Sequence, residues 1–152
     1  MRFTLLPTIV ALGALACGGE KQADQAPPAA GQAGAAMAPA GPVVEVKMTG
    51  NGSTIADFEP AAITIAPGTT VRFINVSGGP HNIAFWGDSI PAGAAAVLAA
   101  ALPNPIDNLS GAFVMQPNET YDVSFANAPT GTYRGYCTPH LAMGMKMTIT
   151  VQ

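Results

Sequence analysis

One segment near the C-terminus brings together side chains suited to binding a soft metal ion. Cys137, His140 and Met145 lie within nine residues of one another, and Met143 falls between the last two. Thiolate, imidazole and thioether ligands together favour copper that alternates between Cu(I) and Cu(II). Structural zinc sites are usually built from cysteine and histidine throughout and rarely recruit methionine. The segment therefore indicates copper in preference to zinc.

A copper site of this kind needs a second nitrogen ligand, and the composition leaves one candidate. The chain has two histidines and two cysteines, and the other histidine is His81, which follows Pro80. Taken singly, His81 could be a structural histidine and Cys137 a small buried hydrophobe. Taken together with His140, they predict a metal site that uses each histidine once.

Short β-strands must position these ligands. Eight segments with strand-like residue patterns are separated by frequent turn signals, which predicts a β-sandwich or barrel. The turn at Pro67-Gly68 predicts a hairpin between the second and third segments. Between the fourth and fifth, residues 92–102 contain seven alanines and are bracketed by Pro91 and Pro103, which predicts a short helix in a long connection. The eight predicted strands are 43–49, 63–65, 69–76, 81–85, 112–115, 121–125, 132–137 and 146–151.

Two sequence segments resemble the copper-binding motifs of the cupredoxins, specifically the plastocyanin and pseudoazurin group. They are Gly-Pro-His-Asn-Ile-Ala-Phe at 79–85 and Cys-Thr-Pro-His-Leu-Ala-Met-Gly-Met at 137–145. The similarity extends through Asp-Ser-Ile-Pro-Ala-Gly at 88–93 and from about residue 43 to the C-terminus. This resemblance implies an all-β, eight-stranded Greek-key sandwich that binds one type 1 copper ion. By motif position, it implies that His81, Cys137 and His140 are the equatorial ligands.

The same resemblance bears on the axial ligand and on the groups around the copper. Met145 lies five residues after His140, as in plastocyanins and pseudoazurins, whereas Met143 has the three-residue spacing of the amicyanin loop. We expect Met145 to be the axial ligand and Met143 to be a surface thioether near the site. Pro80 would bring the backbone close to the copper. Asn82 is similar to the family asparagine that hydrogen-bonds across to the cysteine loop, here near Thr138.

The resemblance implies a one-electron carrier. A multicopper enzyme is disfavoured, because it would need further histidines for its other copper ions and this chain has only two. A copper chaperone or storage protein is the alternative, given seven methionines and an exported chain. We expect His140, Leu141 and Met143 to lie in an apolar docking rim. Tyr136, beside Cys137, marks either a second electron route through the thiolate or ordinary strand packing. Expected partners are a redox donor and acceptor, such as a c-type cytochrome or a copper or haem reductase or oxidase, and the carrier is expected to be a monomer.

The charge composition limits the classes of partner. Six basic against nine acidic residues give a net charge of −3, which disfavours nucleic acid. The few charges are also scattered along the sequence, so no charge-steered docking face is visible at this level.

The N-terminal residues predict export. Residues 1–16 combine a positive start, a short apolar run and small residues, which is typical of a signal peptide and too short for a membrane-spanning helix. Cys17 follows at once and resembles the lipidated cysteine of a bacterial lipoprotein, although an ordinary signal with an incidental cysteine is the alternative. Residues 17–42 are then a flexible tether rich in Ala, Gly, Pro and Gln. We expect residues 43–152 to fold on the periplasmic or cell-surface side of a bacterial membrane, held there by lipid.

Overall fold

The computed structural model describes residues 41–152. The predicted signal peptide, Cys17 and the tether as far as residue 40 lie outside the described residues. In chain order the elements are β1 (Val43–Gly50), β2 (Ala56–Glu59), β3 (Ala62–Ile65), β4 (Thr70–Asn75), β5 (Ala84–Phe85), α1 (Ala94–Ala101), β6 (Thr120–Ser124), β7 (Gly131–Tyr136) and β8 (Lys146–Val151).

Two four-stranded sheets form a sandwich, as the sequence predicted. One sheet has the strand order β2-β1-β4-β6, and the other has the order β3-β8-β7-β5. The β1–β4 and β3–β8 pairs are parallel, and the remaining pairs are antiparallel. Because consecutive strands alternate between sheets in several places, the chain crosses the sandwich repeatedly and brings distant segments to the same end.

Alternation along the strands separates core from surface. In β8 the side chains of Met147, Ile149 and Val151 are buried, whereas Lys146 is exposed. In β7 Tyr133 is fully buried and packs edge-to-face on Phe125 of the core, with ring centroids 5.3 Å apart. This two-residue period is that of strands with one face on the core. The outward residues of β7 and β8 therefore form one exposed surface.

The strand assignment from sequence was wrong in three places. β2 was missed, because it has only four residues and two of them, Asp57 and Glu59, are charged. Residues 112–115 do not form a regular strand: they contribute a single bridge, between Val114 and His81. Of the predicted strand 81–85, only Ala84–Phe85 pairs as a strand.

The predicted hairpin around Pro67-Gly68 was also wrong, because β3 and β4 lie in different sheets. The turn carries the chain across the sandwich, and β3 pairs with β8 while β4 pairs with β1 and β6. The helix in the long connection was confirmed as α1, which buries Ala94 and Leu98. No helix within residues 41–152 has the length and apolar character needed to span a membrane.

Candidate metal centre

The ligand atoms of His81, Cys137 and His140 converge at one end of the sandwich. The Sγ atom of Cys137 lies 3.7 Å from Nδ1 of His81 and 3.4 Å from Nδ1 of His140. The two Nδ1 atoms are 3.1 Å apart. His81 and Cys137 are fully buried, and His140 is 5% exposed. The sequence-predicted equatorial set is thus assembled from loops that are more than 50 residues apart in the chain.

Backbone pairing holds His81 in place. Its N–H donates to the carbonyl of Val114 over 3.0 Å, and the N–H of Val114 donates back over 2.9 Å. The ring Nε2 lies 2.8 Å from the carbonyl oxygen of Ser77, which accepts a hydrogen bond from it. Because this bond places the proton on Nε2, the lone pair of Nδ1 faces Cys137 and His140.

A tight loop between β7 and β8 presents the other ligands. The N–H of His140 donates to the carbonyl of Cys137 over 3.2 Å, and the N–H of Cys137 donates to the carbonyl of Met145 over 3.1 Å. Residues Leu141–Met143 form a single 3₁₀ turn that ends at Gly144, whose φ of +87° is in the left-handed region that favours glycine. The loop therefore folds back so that its first and last residues adjoin.

The two methionines of this loop occupy different environments. Met145 is fully buried, and its N–H donates to the carbonyl of His140 over 3.3 Å. Met143 lies on the 3₁₀ turn and is 36% exposed. His81, Cys137, His140 and Met145 are together positioned as a type 1 copper site.

Burial shifts the pKa values of the three predicted ligands that converge here. Burial raises the pKa of the Cys137 thiol, although the backbone amides of Asn82 and His140 oppose this. Burial lowers the pKa of His81, and burial together with the neighbouring His81 lowers the pKa of His140. With its proton on Nε2, His81 presents the Nδ1 lone pair to the Cys137 thiol and to Nδ1 of His140, and both of these groups become metal ligands when deprotonated. A metal ion accepts all three lone pairs at once, so the residues fit copper.

Asn82 and Thr138 connect the two ligand-bearing loops, as the sequence predicted. The N–H of Thr138 donates to Oδ1 of Asn82 over 2.8 Å, and Nδ2 of Asn82 lies 3.2 Å from Oγ1 of Thr138. Nδ2 is also 3.0 Å from Oγ of Ser110 and 3.1 Å from the carbonyl of Gly111. Asn82 is fully buried, so its amide links three segments of the chain.

The remaining predicted site residues lie around this centre. Pro80 directly precedes His81 and is partly exposed, and Leu141 is 36% exposed on the 3₁₀ turn. Tyr136 is half-buried on the outer face of β7, where its ring stacks on that of Trp86.

Three supporting residues escaped the sequence analysis. Ser77 accepts from the His81 ring, Val114 pairs with the His81 backbone, and the hydroxyl of Tyr121 accepts from the N–H of Ile83. Burial raises the pKa of Tyr121, which keeps the phenol neutral. The Ser77 and Val114 contacts use backbone carbonyls, and the Tyr121 contact joins residues that are 38 positions apart in the chain. No local sequence signal marks them, apart from the position of Ser77 four residues before His81.

Comparison with known proteins agrees with this geometry. A family profile described as "Copper binding proteins, plastocyanin/azurin family" matches residues 44–152. Plastocyanin from Scenedesmus fuscus is 45% identical over 95 residues, which cover 62% of this chain and 86% of that protein. Plastocyanin from Ulva prolifera is 41% identical over 107 residues, covering 70% of this chain and 97% of that protein.

A solved structure shows the same fold. The oxidised form of plastocyanin from Dryopteris crassirhizoma superposes with a TM-score of 0.56 at 32% identity, over 72% of this chain and all of that one. The two sheets, the converging ligands and the match over most of the chain lead to one conclusion. This chain belongs to the plastocyanin/azurin family of copper-binding proteins.

Proposed function

We propose that this protein is a one-electron carrier that uses a single type 1 copper ion. His81, Cys137 and His140 would hold the ion, with Met145 as the axial ligand. When bound, copper supplies a one-electron couple between Cu(I) and Cu(II). The observation that carries the proposal is the convergence of the buried His81, Cys137 and His140 ligand atoms, with Met145 buried in the same loop.

The residues around the cluster support the rigidity that fast electron exchange requires. The His81 ring is held by Ser77, its backbone is paired with Val114, and Asn82 ties this loop to Thr138. Such outer contacts fix the orientation of ligands and tune the metal they hold. Because these hydrogen bonds hold both ligand-bearing loops, the ligand side chains need to move little when copper changes between Cu(I) and Cu(II).

The surface beside His140 supports transient docking of redox partners. Leu141 and Met143 are each 36% exposed, next to a His140 ring that lies just below the surface. A small apolar patch of this kind is typical of an interaction site, and weak electron-transfer encounters use small interfaces. We assign this end of the domain to an electron donor or acceptor, such as a c-type cytochrome or a copper or haem reductase or oxidase. We assign no catalytic residue.

We further propose that the domain is an exported monomer tethered to a membrane. The fold begins by Pro42, whose carbonyl accepts from the N–H of Thr70 over 2.8 Å. The preceding low-complexity segment, which lies outside the described residues, would connect this domain to a lipid on Cys17. Mass spectrometry of the membrane-extracted protein, with a Cys17→Ser variant as control, tests this: lipid mass on the variant would contradict it.

A copper chaperone or storage protein is the competing function. Such a protein must release its metal, which favours accessible ligands, whereas here His81, Cys137 and Met145 are fully buried. This contrast supports the carrier.

The deciding experiment is a Cu(II) titration followed by visible absorption and EPR, and then stopped-flow exchange with cytochrome c. We expect an intense thiolate-to-copper band at one equivalent, narrow hyperfine splitting, loss of both in Cys137→Ser, and rapid electron exchange. A colourless protein that binds only Cu(I) or zinc, or a blue protein that exchanges electrons slowly, would overturn the carrier function.

A further inference from the structure

The three residues from His81 to Ile83 connect a predicted metal ligand to β5 without forming a regular strand. The backbone of His81 pairs with Val114, and the carbonyl of Ile83 accepts from the N–H of Gly111 over 3.0 Å. The N–H of Ile83 has no backbone acceptor within residues 41–152, and it donates to the hydroxyl of Tyr121. A phenol therefore completes the hydrogen bonding of a segment that carries a predicted ligand.

The packing of the sandwich fixes the ring of Tyr121. Tyr121 lies on β6 opposite Phe73 of β4, and the two rings stack with centroids 5.5 Å apart and planes inclined by 28°. Phe73 is fully buried and packs in turn against Phe58, with centroids 6.0 Å apart. β4 and β6 belong to one sheet, whereas β5, which directly follows Ile83, belongs to the other. The hydroxyl therefore links the two layers of the sandwich from a ring that is held on its own sheet.

Tyr121 and Asn82 contact the same short segment. Gly111, which donates to Ile83, also accepts at its carbonyl from Nδ2 of Asn82 over 3.1 Å. The Tyr121 ring lies beside this glycine, because a Cβ atom built at Gly111 would be 3.6 Å from Cε2 of Tyr121. Asn82 in turn accepts from the N–H of Thr138 in the second ligand-bearing loop. The N–H that the hydroxyl accepts belongs to the peptide between Asn82 and Ile83, so Tyr121 holds the backbone from which the Asn82 side chain extends.

Building on the proposed type 1 copper function, we infer that Tyr121 is a positioning residue for the metal centre. Its hydroxyl holds the peptide between Asn82 and Ile83, and this peptide sets where the Asn82 amide and the adjoining His81 ring lie. A phenylalanine would keep the ring stacking but leave the buried N–H of Ile83 without an acceptor, which is costly unless the backbone shifts. Contacts around metal ligands tune the affinity and the potential of the metal, so such a shift would be felt at the copper.

Tyr121→Phe and Tyr133→Phe form a matched pair of variants, because each removes one hydroxyl from a hydrogen-bonded tyrosine. The Tyr133 hydroxyl donates to the carbonyl of Pro129 over 2.6 Å, before the start of β7 and so at the opposite end of that strand from Cys137. In the copper-loaded protein we expect Tyr121→Phe to weaken copper retention against a chelator about 10- to 100-fold, to shift the reduction potential and to change the EPR hyperfine splitting. Tyr133→Phe should leave all three unchanged.

Hydrogen exchange of the Ile83 amide tests the contact itself in the copper-free protein. In wild type we expect this amide to be strongly protected, because its acceptor is fixed. In Tyr121→Phe it should exchange about tenfold faster relative to the amide of Ile149 in the central strand β8, a ratio that corrects for any general loss of stability. The ratio should not change in Tyr133→Phe. If Tyr121→Phe does not fold, the wild-type measurement decides: an Ile83 amide that exchanges as fast as an exposed loop amide would contradict the inference.

Two further results would overturn the inference. The first is a folded Tyr121→Phe protein whose copper retention, reduction potential and EPR spectrum match those of wild type, because the hydroxyl would then stabilise the fold alone. The second is an equal change in Tyr133→Phe, because the effect would then come from a general loss of stability. The proposed function fails by a different result. A wild-type protein that forms the blue copper site but exchanges no electrons with cytochrome c would refute the carrier, while the comparison of the two variants at the metal would still decide the role of Tyr121.

Discussion

Asn82 and Thr138 are joined by two hydrogen bonds across the gap between the ligand-bearing loops. The N–H of Thr138 donates to Oδ1 of Asn82 over 2.8 Å, and Nδ2 of Asn82 lies 3.2 Å from the Thr138 hydroxyl. One residue adjoins His81 and the other adjoins Cys137. The spacing of the imidazole and the thiol is therefore fixed by neighbours that do not themselves face the metal.

Asn82→Ala should loosen this connection. Removal of an outer contact around a metal site typically costs about 10- to 100-fold in metal affinity. We expect weaker copper retention in a competition titration with a chelator, together with a shifted reduction potential. Asn108→Ala is the matched control, since Asn108 is exposed and its side chain makes no hydrogen bond within residues 41–152. Unchanged affinity and potential in Asn82→Ala would show that the amide is dispensable.

The two methionines of the loop should respond differently to substitution. Met145→Leu removes a buried thioether next to the cluster, and because the axial ligand tunes the potential of such sites, we expect a clear change in potential and spectrum. Met143→Leu alters an exposed side chain and should leave both unchanged. Cyclic voltammetry and visible absorption compare the pair. The reverse pattern would identify Met143 as the axial ligand.

Gly78 should tolerate no side chain. Its φ is +74°, and a Cβ atom built there would lie 2.4 Å from the carbonyl carbon of Gly50. Gly52 has a similar φ of +77° but open space around it, so Gly52→Ala measures the backbone strain alone. We expect Gly52→Ala to lower the free energy of unfolding by about 1–2 kcal/mol.

Gly78→Ala should cost more than this control, because the clash adds to the strain and pushes the Ser77 segment off the end of β1. Urea unfolding of the copper-free proteins gives both values. Equal losses in the two variants would show that the contact between Gly78 and Gly50 relaxes freely.

Glu119 should contribute stability that depends on pH. Its carboxylate accepts from the N–H groups of Gln116 and Met115, which holds the pKa of Glu119 below its ordinary value of 4.5. A lowered pKa in the folded state means that the contribution is complete above the ordinary value and is lost as the pH falls through the folded value. Glu119→Gln should therefore be less stable than wild type at pH 7, and the difference should shrink below about pH 4.5.

Thermal unfolding of the copper-free proteins between pH 3 and pH 7 tests this dependence. Asp57→Asn is the matched control, because Asp57 is exposed and its carboxylate makes no hydrogen bond within the described part of the chain. A constant difference between Glu119→Gln and wild type at every pH would contradict the assigned role.

The sequence alone determined the chemistry of the candidate site. Cys137, His140 and Met145 lie close together in the chain, so their spacing was visible without a fold. His81 followed by counting, because the chain has only one other histidine. Local preference also predicted α1 and most of the strands, since alanine-rich and alternating segments carry their own signal.

The tertiary structure decided what depends on pairing between distant segments. β2 was missed because it is a four-residue strand defined by its pairing with β1. β3 pairs with β8, and β4 pairs with β1 and β6, so β3 and β4 lie in different sheets. Ser77 and Val114 support His81 through their backbone carbonyls. Every residue has a backbone carbonyl, so a sequence motif cannot identify these two positions.

Two basic residues of β7 and β8 show the same limit for charge. Arg134 and Lys146 are twelve residues apart and appear as scattered charges in the sequence. The antiparallel register of β7 and β8 places them beside Tyr136, and the pairing of β5 with β7 brings Trp86 onto the same surface. Residue types thus indicate which metal the chain suits, whereas strand pairing and register decide which side chains share the outer face of β7.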